Sequence, residues 1–199
     1  MAEWQGTVRR ASEDDSGVVS RILAEAFMRD PVSTWIFPEY GHREQVHPAF
    51  FAPFVALALR DGEVYVAGDG VGATLWLPVD GGDEADEADE FAGLEAAIGP
   101  EASKRFGVLD ELMTANHPGE PHWYLPFIAV RPEHHGTGIG TALLRHKLAV
   151  LDRAGSAAYL EASSPRNAAL YERLGFRRRP TTLDLPEGPS LYPMWRDAL

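Results

Sequence analysis

A glycine-rich loop between a predicted strand and a predicted helix is the feature that most constrains this fold. An apolar run at 123–130 is followed by Gly136, Gly138 and Gly140, and apolar residues at helical spacing then continue to about Ala154. Alternate glycines let consecutive backbone N–H groups turn toward one anion, because no Cβ atom blocks the approach. The helix N-terminus adds partial positive charge. The segment therefore predicts a phosphate site on a strand–loop–helix unit.

Two well-known phosphate motifs also use spaced glycines, and the sequence departs from both. A dinucleotide site is suggested by Glu161, which lies 21 positions after Gly140, where a ribose-binding acid is expected. That motif needs a third glycine where Thr141 stands, and it follows its strand directly, whereas five residues intervene here. The P-loop needs a Lys-Ser/Thr pair after the glycines, and none is present. On the loop alone, a purely structural turn stays open.

The order of the other predicted elements indicates a mixed α+β fold. In the first half we expect a strand at 7–11, a helix starting at a Ser12/Asp15 capping box and ending near Phe27, and an aromatic-rich helix with a kink or break at Pro53. A hairpin at 63–67 and 71–77 follows, and then two helices within 91–113 that are divided at Gly99.

The second half predicts one parallel strand pair followed by an antiparallel edge. The expected elements are a strand at 123–130, a helix at 138–154, a strand at 157–162, a helix at 165–174 and strands at 176–185 and 191–196. Strand–helix–strand units make parallel, right-handed connections. We therefore expect one domain over 1–199, with 83–117 as a helical insertion before the strand that leads into the loop.

Composition excludes several classes of function. The formal net charge of −12 disfavours nucleic acid as a partner, and the acidic run at 83–90 is typical of a solvated segment. The chain has no cysteine, which excludes disulfides and a cysteine nucleophile, and its seven histidines show no HExxH spacing, so we expect no metal site. No apolar run is long enough to span a bilayer and no secretory signal opens the sequence. We expect a cytoplasmic protein with no membrane partner.

Two separated motifs resemble the GCN5-related N-acetyltransferase (GNAT) superfamily. Residues 130–144 resemble its loop for the coenzyme A pyrophosphate, and residues 167–176 resemble its helix that runs from Asn to Tyr and into Gly-Phe. Residues 159–176 and 186–189 further resemble the puromycin N-acetyltransferases of that superfamily. His135 departs from the pattern, because Arg or Gln is usual there.

The resemblance implies a twisted, mostly antiparallel sheet with helices on both faces, and acetyl-CoA as co-substrate. It implies Tyr171 as general acid, and a phenol with a pKa of about 10 keeps its proton at neutral pH. Glu161 ends a strand beside the expected acceptor entrance, so it is a candidate base or a recognition group for a cationic amine. The implied cofactor-binding residues are Ile128, Ala129, Val130, His135, Gly136, Thr137, Gly138, Ile139, Gly140, Thr141 and Asn167.

Aromatic residues are candidates for the acceptor pocket, which suits an aromatic or nucleoside-like amine. These candidates are Phe27, Trp35, Tyr40, Trp123, Tyr124 and Tyr192, and the aromatic-rich stretch at 50–54 is the expected acceptor wall. We expect transfer of an acetyl group to a primary amine of a small molecule in a ternary complex, by a monomer or homodimer. Acetylation of a protein or peptide amine and a non-catalytic acyl-CoA-binding module are the alternatives.

Overall fold

The computed structural model describes residues 4–80 and 93–199, and within them eight strands and seven α-helices. The strands are β1 (Val8–Arg10), β2 (Glu63–Ala67), β3 (Gly72–Val79), β4 (His122–Val130), β5 (Ala158–Ala162), β6 (Arg177–Arg178), β7 (Leu183–Asp184) and β8 (Ser190–Arg196). The helices are α1 (Ser16–Ala26), α2 (Pro31–Ile36), α3 (Tyr40–Asp61), α4 (Leu94–Ile98), α5 (Pro100–Thr114), α6 (Ile139–Ala154) and α7 (Pro165–Glu172).

The strands form a sheet in the order β1-β2-β3-β4-β5-β8-β6, and β7 pairs with the other end of β8. Only β4 and β5 run parallel among the described strands, and α6 connects them. The predicted mixed class, with one parallel pair in a mostly antiparallel sheet, is confirmed. The parallel pair lies near the middle of the sheet, where the glycine loop leaves β4.

Each face of the sheet carries its own apolar core, because side chains alternate along a strand. On β2, Val64 and Val66 belong to a core with α1–α5, whereas Tyr65 and Ala67 belong to a core with α6 and α7. The expected helices on both faces are therefore present. None of the described helices is long and apolar enough to cross a bilayer.

Two predicted elements differ in the structure. Helix α3 continues through Pro48 and Pro53 without the predicted interruption. A proline inside a helix costs about 3 kcal/mol, and burial of Phe50, Phe51 and Val55 on the same helix offsets that cost. The predicted strand at 176–185 is instead two short strands, β6 and β7, separated by a segment with Pro180, which has no N–H for a ladder.

Other local predictions are confirmed. Asp15 accepts a hydrogen bond from the Ser12 backbone N–H at 2.9 Å, as the capping box requires. The hairpin joins β2 to β3, and Gly99 divides α4 from α5. The acidic run at 83–90 and the first part of the proposed 83–117 insertion lie outside the described residues, and the single-domain boundary stays a prediction.

Candidate active site

The candidate site is a cleft of about 2190 Å³ that opens where β4 and β5 diverge. The two strands pair only at Trp123–Ala158 and Tyr124–Tyr159, although β4 continues to Val130. Ile128, Ala129 and Val130 pair with β3 on one edge and line the cleft. The backbone of β4 is therefore placed beside the cleft where the resemblance predicts contacts to a ligand.

A bulge in β4 accompanies this divergence. Opposite β3, the pairing steps from Leu75↔Phe127 to Leu77↔Tyr124, so β4 has one extra residue there. The extra stretch contains Pro126, which has no N–H to offer a neighbouring strand. Bulges bend and twist the strand that carries them and occur beside active sites. Pro126 is the sequence signal for this change of direction.

The glycine loop leads from β4 into α6 as predicted. Gly136 and Gly138 have φ values of +79° and +92°, which favour glycine, and Gly138 is the residue that precedes the helix. Among the described residues, no side chain caps the N-terminus of α6. A Cβ at Gly136 would meet no heavy atom within 4 Å, so the space in front of the loop is open. The geometry suits an anion held by backbone N–H groups.

Side chains of the loop mostly stabilise the loop itself. His135 Nε2 lies 2.9 Å from the carbonyl oxygen of Val130, and it donates because a carbonyl only accepts. The Thr137 hydroxyl donates to the carbonyl of His134 at 2.7 Å. His135, Gly136, Gly138, Ile139, Gly140 and Thr141 line the cleft. The histidine that departs from the family pattern thus ties the loop to the end of β4.

Tyr171 lies on α7 and lines the same cleft, with only 6% of its surface exposed. Its ring packs edge-on against Phe176 at 5.9 Å between centroids. Burial raises the pKa of Tyr171, and the nearby carboxylate of Asp30 raises it further. The phenol therefore keeps its proton at neutral pH.

A hydrogen-bonded chain connects the start of α7 to the start of α2. The Asn167 amide donates to the Ser163 hydroxyl at 3.2 Å, and that hydroxyl donates to Asp30 at 2.6 Å. Asp30 also accepts from two backbone N–H groups of α2. Ser164, and not Asn167, caps α7, so the Asn167 side chain is directed to Ser163. Sequence reasoning missed this role of Asp30, although Asp before Pro is a typical helix start.

Glu161 is the carboxylate at the end of β5, and its side chain is 2% exposed. Burial raises its pKa to about 7, against the opposing effect of the nearby hydroxyls of Tyr159 and Tyr124. Oε1 of Glu161 and the Tyr159 hydroxyl are buried and have no hydrogen-bond partner among the described atoms. The protonated and ionised carboxyl forms are thus similarly populated at neutral pH.

Two histidines that sequence reasoning had not assigned lie next to Glu161. His117 Nδ1 is 3.9 Å from Glu161 Oε1, and His117 Nε2 is 3.1 Å from His122 Nε2. Burial, and then the neighbouring His122, lower the pKa of His117 to about 4. His117 is therefore neutral at physiological pH, and its position before β4 gave no motif that could have identified it.

Phenylalanine rings form the cleft wall on the other side. Phe51 lies 5.3 Å from Phe27 and 5.4 Å from Phe127, and Phe54 lies 5.2 Å from Phe127. The Phe51–Phe127 and Phe54–Phe127 pairs are edge-to-face, which is a favoured packing of aromatic rings. Together with Phe50 and Phe106, all four line the cleft. Phe27 and the stretch at 50–54 were expected to form this wall, whereas Phe127 was not named for it.

The predicted acceptor aromatics separate into two groups. Phe27 and Tyr124 line the cleft, whereas the other four lie outside its lining. The Trp35 indole donates to Pro186, Tyr40 is 57% exposed, Lys147 lies over the Trp123 ring, and Arg178 lies over the Tyr192 ring. Their contacts are those of packing side chains.

Charges in the cleft are unevenly distributed. Arg145 on α6, Arg166 on α7 and Arg173 directly after α7 line it next to the loop and the end of β5. Asp110 on α5 lines it on the phenylalanine side, and Glu161 lies between. No group of His, Asp or Glu in residues 4–80 and 93–199 is arranged to hold a metal ion.

Similar solved structures share this fold along the whole chain. A protein described as histone acetyltransferase HPA2 and related acetyltransferase, from Corynebacterium glutamicum, is 28% identical over 98% of both chains, with a TM-score of 0.70. Arylalkylamine N-acetyltransferase 2 of Aedes aegypti is 17% identical over 98% of this chain and 100% of its own, with a TM-score of 0.71. A polyamine N-acetyltransferase of Drosophila melanogaster, described as forming N-acetylagmatine, is 17% identical over 97% and 100%, with a TM-score of 0.68.

The last two likenesses, at 17% identity, show the fold alone. Family membership rests on the sequence, because a model of the acetyltransferase (GNAT) domain matches residues 60–178, which is more than half of the chain. The matched range includes the diverging strand pair, the glycine loop, α6, Glu161 and Tyr171. The chain belongs to the GNAT family of acyl-CoA-dependent N-acetyltransferases.

Proposed function

We propose that this protein transfers an acetyl group from acetyl-CoA to the primary amine of a small molecule with an apolar or aromatic body. The observation that carries the proposal is one continuous cleft lined by the glycine loop, Tyr171, Glu161 and the phenylalanine wall. Such a cleft allows both substrates to be bound at once, so the amine attacks the thioester directly.

The residues present fit the coenzyme. The positive φ values of Gly136 and Gly138 and the uncapped start of α6 suit the pyrophosphate. The backbone of Ile128, Ala129 and Val130 suits the acyl carbonyl and the pantetheine amides. Asn167 is placed to assist there, and Arg145, Arg166 and Arg173 add positive charge on neighbouring helices.

Glu161 serves as the general base in this proposal. An alkylammonium with a pKa of about 10 must lose a proton before it can attack, and a base with a pKa near the working pH is the most effective. Burial gives Glu161 that pKa, about 7. Glu161 holds the first proton taken from nitrogen. As the N–C bond to the acetyl group forms and the C–S bond breaks, the second proton leaves nitrogen to solvent.

Tyr171 serves as the general acid for the leaving thiolate. Its pKa is raised by burial and by Asp30, so the phenol is fully protonated at neutral pH. The Asp30–Ser163–Asn167 chain joins the region around Tyr171 to α2 and holds the start of α7. The proton moves from the Tyr171 oxygen to sulfur, and the phenol then regains a proton from solvent.

The chemistry of the cleft wall supports the class of acceptor. Six phenylalanines suit an aromatic or apolar body, and Asp110 and Glu161 suit the amine end. The insect proteins of the same fold, which act on arylalkylamines and polyamines according to their names, support a small amine. An aminonucleoside such as puromycin belongs to this class and is supported by the sequence resemblance. In that case the protein would confer resistance to an aminonucleoside antibiotic.

The test is acceptor-dependent release of free thiol from acetyl-CoA. The panel contains phenylethylamine, tryptamine, puromycin, agmatine, spermidine and a lysine peptide. We expect the aromatic amines to give the highest kcat/KM. Preference for the peptide would replace the proposal with peptide acetylation, which the name of the Corynebacterium protein favours. Binding of acetyl-CoA without turnover of any amine would identify a non-catalytic module.

A further inference from the structure

One polar contact in the cleft has no role in the scheme above. Oε1 of Glu161 is buried without a hydrogen-bond partner among the described atoms, and the nearest basic nitrogen is Nδ1 of His117 at 3.9 Å. Burying a carboxylate oxygen without a hydrogen-bond partner costs free energy. The position of Oε1 facing the titratable ring of His117 therefore requires an explanation. The distance is too long for a direct hydrogen bond, but it is suited to a bridging water.

The hydrogen bonds around the two histidines fix where their protons lie. His122 Nδ1 lies 2.7 Å from the backbone carbonyl of Glu120, which only accepts, so Nδ1 carries the proton. His122 Nε2 is therefore a bare acceptor in the neutral ring. The proton in the 3.1 Å contact must then come from His117 Nε2. Neutral His117 is left with a bare Nδ1, which faces Glu161.

We propose that His117 is a positioning residue for the acid–base chemistry of Glu161. After each turnover it accepts the proton from that carboxyl and passes it to water. The inference rests on the proposed function, in which Glu161 deprotonates the acceptor. The O–H bond at Glu161 breaks as the bridging water accepts that proton, and the water gives one of its own protons to form an N–H bond at His117 Nδ1. That N–H bond then breaks in favour of water or buffer, which restores both groups. His122 and the Glu120 carbonyl keep the lone pair of His117 directed toward Glu161.

The surroundings of His117 keep the lifetime of its protonated form short. His122 and Tyr124 face it from β4, and Tyr159 and Glu161 face it from β5. Behind these groups, the charge of Asp110 acts on Tyr124, and that of Arg179 on Tyr159. The side chain is 22% exposed and lines the cleft, so water can reach it.

The transfer is uphill and still fast enough. The pKa of Glu161 is about 7 and that of His117 is about 4, which makes the proton roughly a thousandfold less stable on the histidine. Taken alone, a thousandfold penalty is small against the gap between an elementary frequency of about 10¹² to 10¹³ per second and typical kcat values of about 1–10³ per second.

The first test is chemical rescue in a weakly buffered solution. We expect His117→Ala to lower kcat by about tenfold or more, with unchanged affinity for acetyl-CoA, and imidazole in the buffer to restore it in proportion to its concentration. His117→Gln fills the same space without basicity, so it should be slow and less responsive to imidazole. The control is His146→Gln, an exposed histidine on α6. Full activity of His117→Ala in weak buffer, or slow turnover that imidazole does not restore, overturns the relay.

The second test needs no turnover. ¹⁵N NMR of the histidine rings should show His117 protonated at Nε2 and His122 at Nδ1. The opposite tautomers overturn the relay, even in an active enzyme. The expected tautomers in a protein that acetylates no amine refute the proposed function and, with it, the proton source. The acetyl transfer and the proton relay through His117 can therefore be refuted separately.

Discussion

Replacing Glu161 by Gln should stabilise the fold at neutral and alkaline pH. The pKa of Glu161 rises from an ordinary 4.5 to about 7 on folding, because burial penalises the charged form. Between these pH values the native state holds more protons than the unfolded state, so the free energy of unfolding falls as pH rises. The full difference corresponds to about 3 kcal/mol, since each tenfold change in proton affinity is worth about 1.4 kcal/mol. Glutamine has no charge to bury and avoids this loss.

The amide suits the site in shape and in hydrogen bonding. It has nearly the volume of the carboxyl group, and its NH₂ can donate toward the bare Nδ1 of His117. We expect Glu161→Gln and the wild type to be similarly stable at about pH 4.5, and the variant to be more stable by up to about 3 kcal/mol at about pH 8.5. Thiol release from acetyl-CoA should meanwhile fall by about a hundredfold or more.

Urea unfolding across this pH range provides the measurement. Glu95→Gln is the matched control, because Glu95 is exposed on α4 and should show no such divergence. Parallel stability curves for Glu161→Gln and the wild type would mean that the carboxyl is not desolvated in solution. A stability difference between variant and wild type that grows toward acid pH would have the opposite sign to the one expected and would refute the raised pKa of Glu161.

Three further substitutions test other parts of the site and fold. Tyr171→Phe should lower kcat by about a hundredfold, with acetyl-CoA affinity unchanged by calorimetry, because only the acid is removed; equal activity would remove Tyr171 from the mechanism. Gly136→Ala should cost about 1 kcal/mol in urea unfolding and weaken coenzyme binding, since its φ is +79°, whereas Gly107→Ala inside α5 should stabilise slightly. Lys147→Met should cost about 2 kcal/mol, because Glu63 loses its 2.6 Å ion pair and keeps the Tyr65 hydroxyl at 2.6 Å and Arg10 at 3.6 Å, and adding Glu63→Gln should recover part of that loss; additive losses would refute the pairing argument.

The parts of the site that follow from local chemistry could be predicted from the sequence. The glycine loop between a strand and a helix depends on residues close in the chain, and the structure places Gly136 and Gly138 at the positive φ values that favour glycine. The parallel pair follows from the order of the elements. Glu161 was also located as a strand-end carboxylate. Their roles in binding and catalysis stay predictions.

The acceptor side could be predicted only in part, because its residues are distant in sequence. The aromatic-rich stretch at 50–54 was the expected wall, and Phe50, Phe51 and Phe54 line the cleft. Phe51 and Phe127 touch across α3 and β4, and no period or motif relates them. Single aromatic residues are also common in packing roles, as the contacts of Trp35 and Tyr192 illustrate, and Tyr40 is largely exposed. The break expected at Pro53 does not occur, since the burial of Phe50 and Phe51 that offsets the proline is tertiary.

The environment of Glu161 depends on both neighbouring and distant parts of the sequence. A glutamate at the end of β5 is an ordinary acid until His117, Tyr124 and Tyr159 bury it. Tyr159 lies on the same strand, whereas no motif relates His117 and Tyr124 to Glu161. The same burial that lowers the stability of the fold at neutral pH raises the pKa of the carboxyl to about 7, where it can exchange protons with an amine. A substitution that removes the buried charge of Glu161 raises the stability of the fold and also removes the base. Stability and turnover are therefore expected to change in opposite directions at this residue.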